Sequence, residues 1–334
     1  MKTKLVTDPA GPTPPGPKTK APTPRQPLSA ARSLSGMQLA RTPEYLVIGH
    51  ICADLRPDGT AMLGGTALYS ALTAARLGLR VGVLTRGAFG KTVDGVAIPS
   101  LDEFAGEVSI VVQEAEAPSM FVNVYNAGRR VQTLPRWAGE IDLRGLPPHW
   151  RNARVIHLGP IAQEIDPKQT GSLTPGFLGA TPQGWMREWP HPEGGRVKLK
   201  TLRLPGELLG RIDSLIVSDE EITLARDAVE AVGSRRLGVI TQGENGARIV
   251  YGGETTDLPG YDVAINDLTG AGDVFAAAFF IKATERNASA ISAGRFANAV
   301  AALSLRQVGP FGVPTLKEVE DFLKIAVELP IRRR

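Results

Sequence analysis

The stretch that decides the fold of this chain is NDLTGAGD, from Asn266 to Asp273, which is followed directly by the apolar run VFAAAFF, from Val274 to Phe280. A short glycine-rich loop thus ends in a carboxylate, and the Ala-rich run after it predicts a buried helix. The first N–H groups of a helix have no partner inside it, so they and the helix dipole attract an anion. Gly270 and Gly272 let the backbone approach that anion closely.

Asp273 gives this anion site a chemical role. A carboxylate beside a bound anion is repelled by it, so we expect a carboxylate at this position only where it performs a function. The function that fits best is removal of a proton from a hydroxyl that attacks a phosphoryl group. We therefore predict a phosphotransfer site with Asp273 as general base and the N–H groups of Gly270, Ala271 and Gly272 around the transferred group. Two simpler interpretations stay open. Asp273 can be interpreted as a first-turn acid that stabilises the helix dipole, and Gly270–Gly272 as an ordinary tight turn.

Three segments, in the same order, resemble the ribokinase-like (PfkB) carbohydrate kinases. DLTGAGD, Asp267–Asp273, resembles the D-x-T-G-A-G-D signature of that family. LGGTA, Leu63–Ala67, is similar to its N-terminal Gly-Gly motif, and TQGENGA, Thr241–Ala247, to its T-x-G-x-x-G turn near the nucleotide. The resemblance covers roughly residues 45 to 325. It implies a ribokinase-like α/β fold, with a mostly parallel sheet flanked by helices and a small β-lid, and an ATP-dependent kinase.

Strand-like and helix-like segments alternate along the chain, which favours a mostly parallel α/β sheet. The predicted strands are Tyr45–Gly49, Val81–Thr85, Val108–Val112, Met120–Tyr125, a hairpin partner at 129–134 reached across 126–128, Val155–Leu158, Leu215–Ser218, Leu237–Thr241 and Ala247–Tyr251. The predicted helices are Gly65–Leu77, Val274–Thr284, Ala288–Leu305 and Glu318–Val327. The interval from Pro160 to Pro205 follows no regular pattern.

Two regions of the chain differ in composition. Residues 1–40 form a basic, proline-rich tail with eight prolines between Pro9 and Pro27, which predicts disorder. Met37 lies close to the first predicted strand, and we hypothesise that it is the natural start or that the tail is a dispensable extension. Residues 41–330 are the predicted kinase domain, with lid pieces at about 54–64 and 117–134. Because the first lid piece is short, we expect a small lid, of a kind that pairing in a homodimer can complete.

Composition fits a soluble enzyme, and the resemblance implies a small-molecule substrate. The chain has 334 residues, 43% of them apolar, and no apolar run approaches the roughly 20 residues that span a bilayer. Its single cysteine, Cys52, excludes an intrachain disulfide. Residues 1–36 carry six basic side chains against one acidic, an excess of +5, so the net charge of +4 leaves about −1 for the rest. We therefore predict a cytoplasmic protein without a nucleic-acid or membrane partner.

The resemblance implies acceptor-binding residues near the first strand. Asp54 resembles the family aspartate that hydrogen-bonds substrate hydroxyls, and the simpler interpretation is a loop aspartate that starts a turn. Gly64 and Gly65 would bring backbone against the substrate. Arg187 is a further substrate-binding candidate, although an exposed loop arginine fits the sequence equally well.

Two departures from the family pattern bear on the acceptor. Tyr69 stands where ribokinase-type members have asparagine, and Cys52 replaces a polar residue used by ribose-specific relatives. Both argue against plain ribose. The sequence looks most like the branch of inositol kinases and some nucleoside kinases, so a sugar or cyclic polyol is our first acceptor and a nucleoside the second. A non-catalytic sugar- or nucleotide-binding regulator on the same fold remains the alternative from another class.

On the donor side, the resemblance implies an ATP pocket. The residues that match its lining positions are Thr241, Gly243, Gly246, Thr269 and Asn298. Asn298 lies in a mostly apolar helix, so a satisfied core amide is the simpler interpretation of that residue.

Metal binding is also implied by the resemblance. Glu221 aligns with the glutamate of the N-x-x-E motif that orders water around Mg²⁺, although Ser218 replaces the asparagine. A solvated acidic pair, Glu220 and Glu221, is the alternative. Asp267 matches the family residue near the phosphates and a monovalent-cation site, so K⁺ is a candidate cofactor. The simpler interpretation of Asp267 is a turn-forming aspartate.

Overall fold

The computed structural model describes residues 32–33, 41–126, 129–191 and 194–331. Their strands are β1 (Arg32–Ser33), β2 (Tyr45–Ile48), β3 (Cys52–Leu55), β4 (Ala61–Gly64), β5 (Val81–Gly87), β6 (Thr92–Val93), β7 (Val96–Ala97), β8 (Ser109–Glu114), β9 (Ser119–Asn126), β10 (Arg129–Arg136), β11 (Val155–Leu158), β12 (Phe177–Ala180), β13 (Arg187–Glu188), β14 (Gly195–Arg196), β15 (Lys198–Leu199), β16 (Ser214–Ser218), β17 (Leu237–Thr241), β18 (Ala247–Tyr251) and β19 (Glu254–Leu258). Their α-helices are α1 (Thr66–Arg76), α2 (Gly206–Arg211), α3 (Ile222–Gly233), α4 (Ala271–Ala283), α5 (Ala290–Ser304) and α6 (Leu316–Leu323).

The main sheet has ten strands in the order β1-β8-β5-β2-β11-β12-β16-β17-β18-β19. The strands from β8 to β17 in this order run parallel to one another. Antiparallel strands close both edges, β1 on one side and β18 with β19 on the other. The predicted parallel α/β sheet is therefore confirmed.

Strand β2 shows how the sheet separates two hydrophobic layers. Successive side chains of a strand point to opposite faces, and all four residues of β2 are buried. Tyr45 and Val47 join the cluster that contains the buried residues of α1, α4 and α5. Leu46 and Ile48 join the opposite cluster, with Trp150 and the buried face of α3. The result is a sheet with helices on both faces.

Helix α4 is buried on every side, from Val274 to Ile281. Three consecutive alanines, Ala276–Ala278, stand between phenylalanines in this stretch, and these small residues allow close contact with neighbouring helices and strands. Phe280 rests on β12 so closely that a Cβ on Gly179 would lie 2.4 Å from its ring. Glycine is therefore required at position 179 by packing.

A small sheet of five strands lies beside the main one, in the order β14-β10-β9-β3-β4. Its strands pair antiparallel, except for β3 and β9, which run parallel. The small sheet contains strands from both predicted lid segments and adds β14, from within the interval that showed no pattern. The turn of the predicted hairpin at 127–128 lies outside the described residues, but β9 and β10 pair as expected.

Most predicted elements are present, with ends shifted by a few residues, and several elements were missed. The irregular interval 160–205 contains β12, which is a central strand of the main sheet. Strands β3, β4 and β19 and helices α2 and α3 were also absent from our prediction.

Among the described residues, no helix combines the length and the apolar character that crossing a membrane requires. The predicted tail, including Met37, lies outside the described residues, apart from Arg32 and Ser33 in β1. Its disorder and the domain boundary at residue 41 therefore stay predictions.

Candidate active site

A cavity of about 670 Å³ opens where the parallel strands of the main sheet end. Thr181 follows β12, Ser218 ends β16 and Thr241 ends β17, and all three line it. The small sheet supplies another wall through β3, β9 and β10. The carboxyl ends of parallel strands are the usual ligand site in open α/β sheets. The predicted site residues that line the cavity are Asp54, Gly65, Arg187, Glu221, Thr241, Thr269, Gly270, Gly272 and Asp273.

Asp273 lies in the first turn of α4, where the helix dipole favours a negative charge. Thr66 Oγ1 donates a hydrogen bond to Asp273 Oδ1 over 2.6 Å. One turn further along α1, Ser70 Oγ donates to the backbone oxygen of Asp273 over 3.3 Å. Helices α1 and α4 therefore hold the carboxylate between their N-termini, beside the Gly270–Gly272 loop.

Gly270 precedes α4 in the left-handed conformation, with φ 79°. A Cβ at this position would lie 2.4 Å from the ring of Tyr69, which packs directly beneath the loop. Both the backbone angle and this contact require glycine. Gly272, by contrast, has open space where a Cβ would be, so its backbone faces the cavity. Ala271 begins α4 and is not among the lining residues.

Tyr69 is buried, and its hydroxyl has no hydrogen-bond partner among the residues that the structure describes. Burial, together with the negative charges of Asp267, Asp54 and Asp273, raises the pKa of Tyr69 above its ordinary value. The hydroxyl therefore stays protonated and is a hydrogen-bond donor. The pKa of Cys52, on the same wall, is raised by burial first and by Asp54 next, so this thiol is unreactive.

One wall of the cavity carries a row of polar side chains across the small sheet. Asp54 lies on β3, Asn123 on β9 and Gln132 on β10, and all three line the cavity. Gln132 Nε2 donates to Asn123 Oδ1 over 2.9 Å, and Asn123 Nδ2 donates to Asp54 Oδ1 over 3.4 Å. Gly64 is not a lining residue, but a Cβ there would lie 2.7 Å from Asp54 Oδ2, so it gives room to this carboxylate.

Arg187 lies inside the protein, at 6% exposure, rather than on an exposed loop. Its Nη1 donates to the backbone oxygen of Ile161 over 2.8 Å, and its guanidinium carbon lies 5.4 Å from the centre of the Phe121 ring. Both neighbours also line the cavity. Arg187 is therefore a buried residue of the cavity wall, and its role in substrate binding stays a prediction.

The predicted nucleotide residues divide into two groups. Thr241 and Thr269 line the cavity, whereas Gly243, Gly246 and Asn298 do not. The Asn298 side chain is buried and donates to the backbone oxygen of Pro259 over 2.8 Å.

Gly246 packs against the same segment, since a Cβ there would lie 2.2 Å from the backbone oxygen of Leu258. These contacts support a structural role for Asn298 and Gly246. Gly243 is exposed at the start of a short 3₁₀ turn.

Glu221 is buried at 6% exposure and lines the cavity just before α3. Its Oε2 accepts the backbone N–H of Ser218 over 2.9 Å, and its Oε1 accepts from Gln183 Nε2 over 3.0 Å. The alternative of a solvated acidic pair is therefore wrong for Glu221. Glu220 is exposed and also lines the cavity.

Asp267 connects the loop before α4 to the segment after α5 through two hydrogen bonds to backbone N–H groups. Its Oδ1 accepts the N–H of Thr269 and its Oδ2 the N–H of Gly309, both over 2.9 Å. It is not a lining residue. Over the described residues, no group of three or more His, Cys, Asp or Glu side chains is placed to hold a metal ion.

Several lining residues belong to no sequence motif and were not predicted, among them Thr66, Asn123, Gln132, Thr181 and Gln183. Thr66 sits in an apolar helix pattern, and the two amides sit in an alternating strand, where one polar face is the ordinary expectation. Polar side chains on neighbouring strands of one hairpin were the available signal for Asn123 and Gln132.

The comparisons with known proteins agree with this geometry. Residues 207–315 match the model of the pfkB family carbohydrate kinases. The chain is 41% identical to the ribokinase of Bacillus subtilis over 85 residues, 25% of this chain and 29% of that protein. It is 35% identical to the ATP-dependent ribose-1-phosphate kinase of Halopiger xanaduensis over 122 residues, 35% of this chain and 41% of the relative. These alignments span less than half the length of each relative.

A solved structure extends the likeness to the fold as a whole. A pyrophosphate-dependent kinase in the ribokinase family, complexed with a pyrophosphate analog and myo-inositol, superposes with a TM-score of 0.67. The alignment covers 83% of this chain and 99% of that one at 20% identity, so it concerns the fold. The predicted resemblance to the ribokinase-like family and the predicted fold are both confirmed.

Proposed function

We propose that this chain, a ribokinase-like protein with the PfkB match in residues 207–315, transfers the terminal phosphoryl group of ATP to a hydroxyl of a sugar or cyclic polyol. The observation that carries the proposal is the position of Asp273. It lies in the first turn of α4, beside the glycine loop, and shares one cavity with the polar row on the small sheet. A base, an anion site and a hydroxyl-binding wall are the parts that phosphoryl transfer needs.

In the proposed reaction, the Asp273 carboxylate accepts the proton of the acceptor hydroxyl as its oxygen attacks the terminal phosphorus. A new O–P bond forms, the bond from that phosphorus to the bridging oxygen breaks, and its electron pair leaves with ADP. The backbone N–H groups at the start of α4 stabilise the charge on the phosphoryl oxygens during transfer. Asp54 and Asn123 hold the acceptor, so that positioning supplies much of the acceleration.

Mg²⁺ fits the carboxylates on the donor side. This ion takes one or two protein carboxylates and completes its shell with water and phosphate oxygens, so a cluster of three ligands is unnecessary. Glu221 and Glu220, which line the cavity, would hold it or its waters. When bound, it would neutralise part of the phosphate charge. Both carboxylate oxygens of Asp267 accept backbone N–H groups. A K⁺ requirement stays a prediction, which a comparison of activity in K⁺ and in Na⁺ would test.

The polar row favours a polyhydroxylated acceptor. Asp54, Asn123 and Gln132 offer carboxylate and amide groups on three neighbouring strands, and such groups pair with hydroxyls both as donors and as acceptors. A nucleoside is the alternative acceptor, because Phe121 and Tyr69 add aromatic surface to the same cavity. A non-catalytic regulator would bind these compounds without turnover.

Pyrophosphate is the second candidate donor. Gly243, Gly246 and Asn298, three of the five predicted nucleotide residues, lie outside the cavity lining, and Asn298 is engaged with Pro259. A donor without a base or ribose would need no contact with them. The structural neighbour bound to a pyrophosphate analog has the same fold.

The test is turnover with ATP or pyrophosphate as donor, in Mg²⁺ and K⁺, across myo-inositol, hexoses, pentoses, cytidine, uridine and adenosine. We expect turnover with at least one sugar or polyol. We expect Asp273→Asn to lower kcat by about 10²–10⁴ while ATP binding and the melting temperature stay unchanged. Asp227→Asn, on the exposed face of α3, is the matched control.

Each outcome has a definite meaning. A fully active Asp273→Asn protein would reject Asp273 as the base. An inactive wild-type protein that still binds ATP would favour the regulator, and turnover with pyrophosphate alone would replace ATP as donor.

A further inference from the structure

Helix α1 presents a row of hydroxyls to the first turn of α4. Thr66 and Ser70 lie four positions apart, on one face of the helix. Thr66 reaches the Asp273 carboxylate over 2.6 Å, and Ser70 reaches the backbone oxygen of the same residue over 3.3 Å. Two side chains of α1 therefore hold the side chain and the backbone of one residue of α4.

The Thr66 side chain has little freedom to turn away from this contact. It is 2% exposed, and its methyl group lies against the backbone of Gly159, where a Cβ would come within 2.5 Å of it. A β-branched side chain has few χ1 rotamers in a helix, and packing of the methyl selects among them. The hydroxyl is consequently directed at Asp273.

Helix capping does not explain the hydroxyl. The N-cap of α1 is Gly65, and the helix has no side-chain cap. Thr66 instead donates to a residue 207 positions further along the chain. A hydrogen bond to a carboxylate is stronger than one between neutral groups, and it favours the ionised form.

We propose that Thr66 is a positioning residue for Asp273: its hydroxyl fixes the orientation of the carboxylate and stabilises the ionised form that accepts the proton. This inference rests on the proposed function, in which Asp273 is the base. Thr66 itself does not exchange a proton with the acceptor.

Removing the Thr66 hydroxyl by substitution removes none of the other ionisable groups near Asp273. Tyr45, Cys52 and Tyr69 interact with the Asp273 charge, and burial raises the pKa of each, so all three remain neutral near pH 7. Charged side chains around the site include Asp54, Glu164, Arg187, Glu220, Glu221 and Asp267. Since the substitution leaves them in place, a change in the titration of Asp273 reports on the hydroxyl.

The experiment compares Thr66→Val, which keeps the shape and removes the hydroxyl, with Thr66→Ser, which keeps the hydroxyl. Thr73→Val is the matched control, because Thr73 is a buried threonine on the same helix whose hydroxyl donates to the backbone oxygen of Tyr69. For each protein, we would measure kcat and KM against pH, and the titration midpoint of the Asp273 carboxyl carbon by NMR.

We expect Thr66→Val to lower kcat by about tenfold to a hundredfold with KM for donor and acceptor nearly unchanged, since a hydrogen bond to a charged group is lost. The acidic limb of the kcat profile and the NMR midpoint should both move up by about one pH unit. Thr66→Ser should restore both values, and Thr73→Val should match the wild type.

The inference and the proposed function can fail separately. An unchanged NMR midpoint together with unchanged kcat in Thr66→Val would overturn the inference while leaving the kinase in place. A lowered kcat that Thr66→Ser does not restore would also overturn it, because the loss would then come from packing. If the wild-type protein turns over no acceptor, the proposed function fails, and the NMR midpoint alone decides whether Thr66 stabilises the ionised carboxylate.

Discussion

At the scale of single residues, the Tyr69 hydroxyl is the least satisfied polar group of the cavity wall. It is buried and has no hydrogen-bond partner among the described residues, and burial keeps it protonated. A buried donor without a partner carries a desolvation cost of about 1–3 kcal/mol. A bound oxygen would relieve this cost, so we interpret Tyr69 as part of the acceptor site.

Tyr69→Phe keeps the ring that packs beneath Gly270 and removes only the hydroxyl. We expect the free energy of unfolding of the unliganded protein to rise by up to about 1 kcal/mol, as measured by urea denaturation. We expect the acceptor KM to rise about tenfold, because one hydrogen bond to the ligand is lost.

Tyr251→Phe, at an exposed tyrosine, is the control and should change neither value. A loss of stability in Tyr69→Phe without a change in acceptor KM would show that the hydroxyl is structural.

The sequence could predict the residues that sit in motifs and could not predict those that reach the site from regular elements. Asp273, Gly270 and Gly272 form a local pattern with a physical meaning of its own. Thr66 belongs to a helix whose apolar spacing indicates only core. Its contact with Asp273 depends on how two helices pack, and such packing leaves no mark on a single sequence.

At the scale of elements, strand β12 occupies the centre of the main sheet, between β11 and β16. It has four residues, Phe177–Ala180, and one of them is glycine. So short a run carries no periodicity that separates it from a loop. Its position is defined by Gly179, which lets the ring of Phe280 rest on the strand.

Gly179→Ala should place a methyl group inside the Phe280 ring contact. We expect it to lower the free energy of unfolding by about 1–3 kcal/mol, the range for an overpacked core. Phe280→Leu should make room, so the double variant should be less destabilised than the two single effects predict. Urea denaturation of the four proteins measures this coupling, and strictly additive effects would contradict the contact. Gly106→Ala is the control, since a Cβ there meets no neighbour within 4 Å.

At the scale of the whole molecule, buried His157 links neighbouring strands of the main sheet to the cavity. Its Nδ1 pairs with the Tyr45 hydroxyl and its Nε2 with Thr181 Oγ1, each over 2.9 Å. Burial lowers the pKa of His157 to about 3. Burial also lowers the pKa of His50.

These histidines make the stability of the fold depend on pH. The folded pKa of His157, about 3, lies below the value of about 6.5 in an unfolded chain, so the unfolded chain binds more protons between these values. The free energy of unfolding should therefore fall as pH is lowered through this window, by up to about 1.4 kcal/mol per pH unit for this group.

Urea denaturation between pH 7 and pH 4.5 measures the slope. His157→Gln should be less stable at pH 7 but show a shallower dependence on pH. His149→Gln, at an exposed histidine, should keep the wild-type slope. An equal slope in His157→Gln and the wild type would reject this role for His157.

The overall α/β architecture could be predicted from the sequence, because the apolar runs that mark buried strands recur many times along the chain. Strands such as Val155–Leu158 and Leu237–Thr241 have the predicted bounds, since apolar runs between turn residues mark buried parallel strands. The small sheet was harder to predict, because β3 and β4 are four-residue strands and β14 comes from a distant part of the chain.

The hydrogen bond between Thr66 and Asp273 also has a consequence for how this protein is made. Because 207 positions separate the two residues, a ribosome must finish most of the chain before they can meet. Asp54, Asn123 and Gln132 are synthesised long before Asp273, so the wall proposed to bind the acceptor precedes the proposed base. A chain released early would carry that wall and no base, and could not consume the phosphoryl donor. Under the proposed function, catalysis would thus begin only after α4 has emerged.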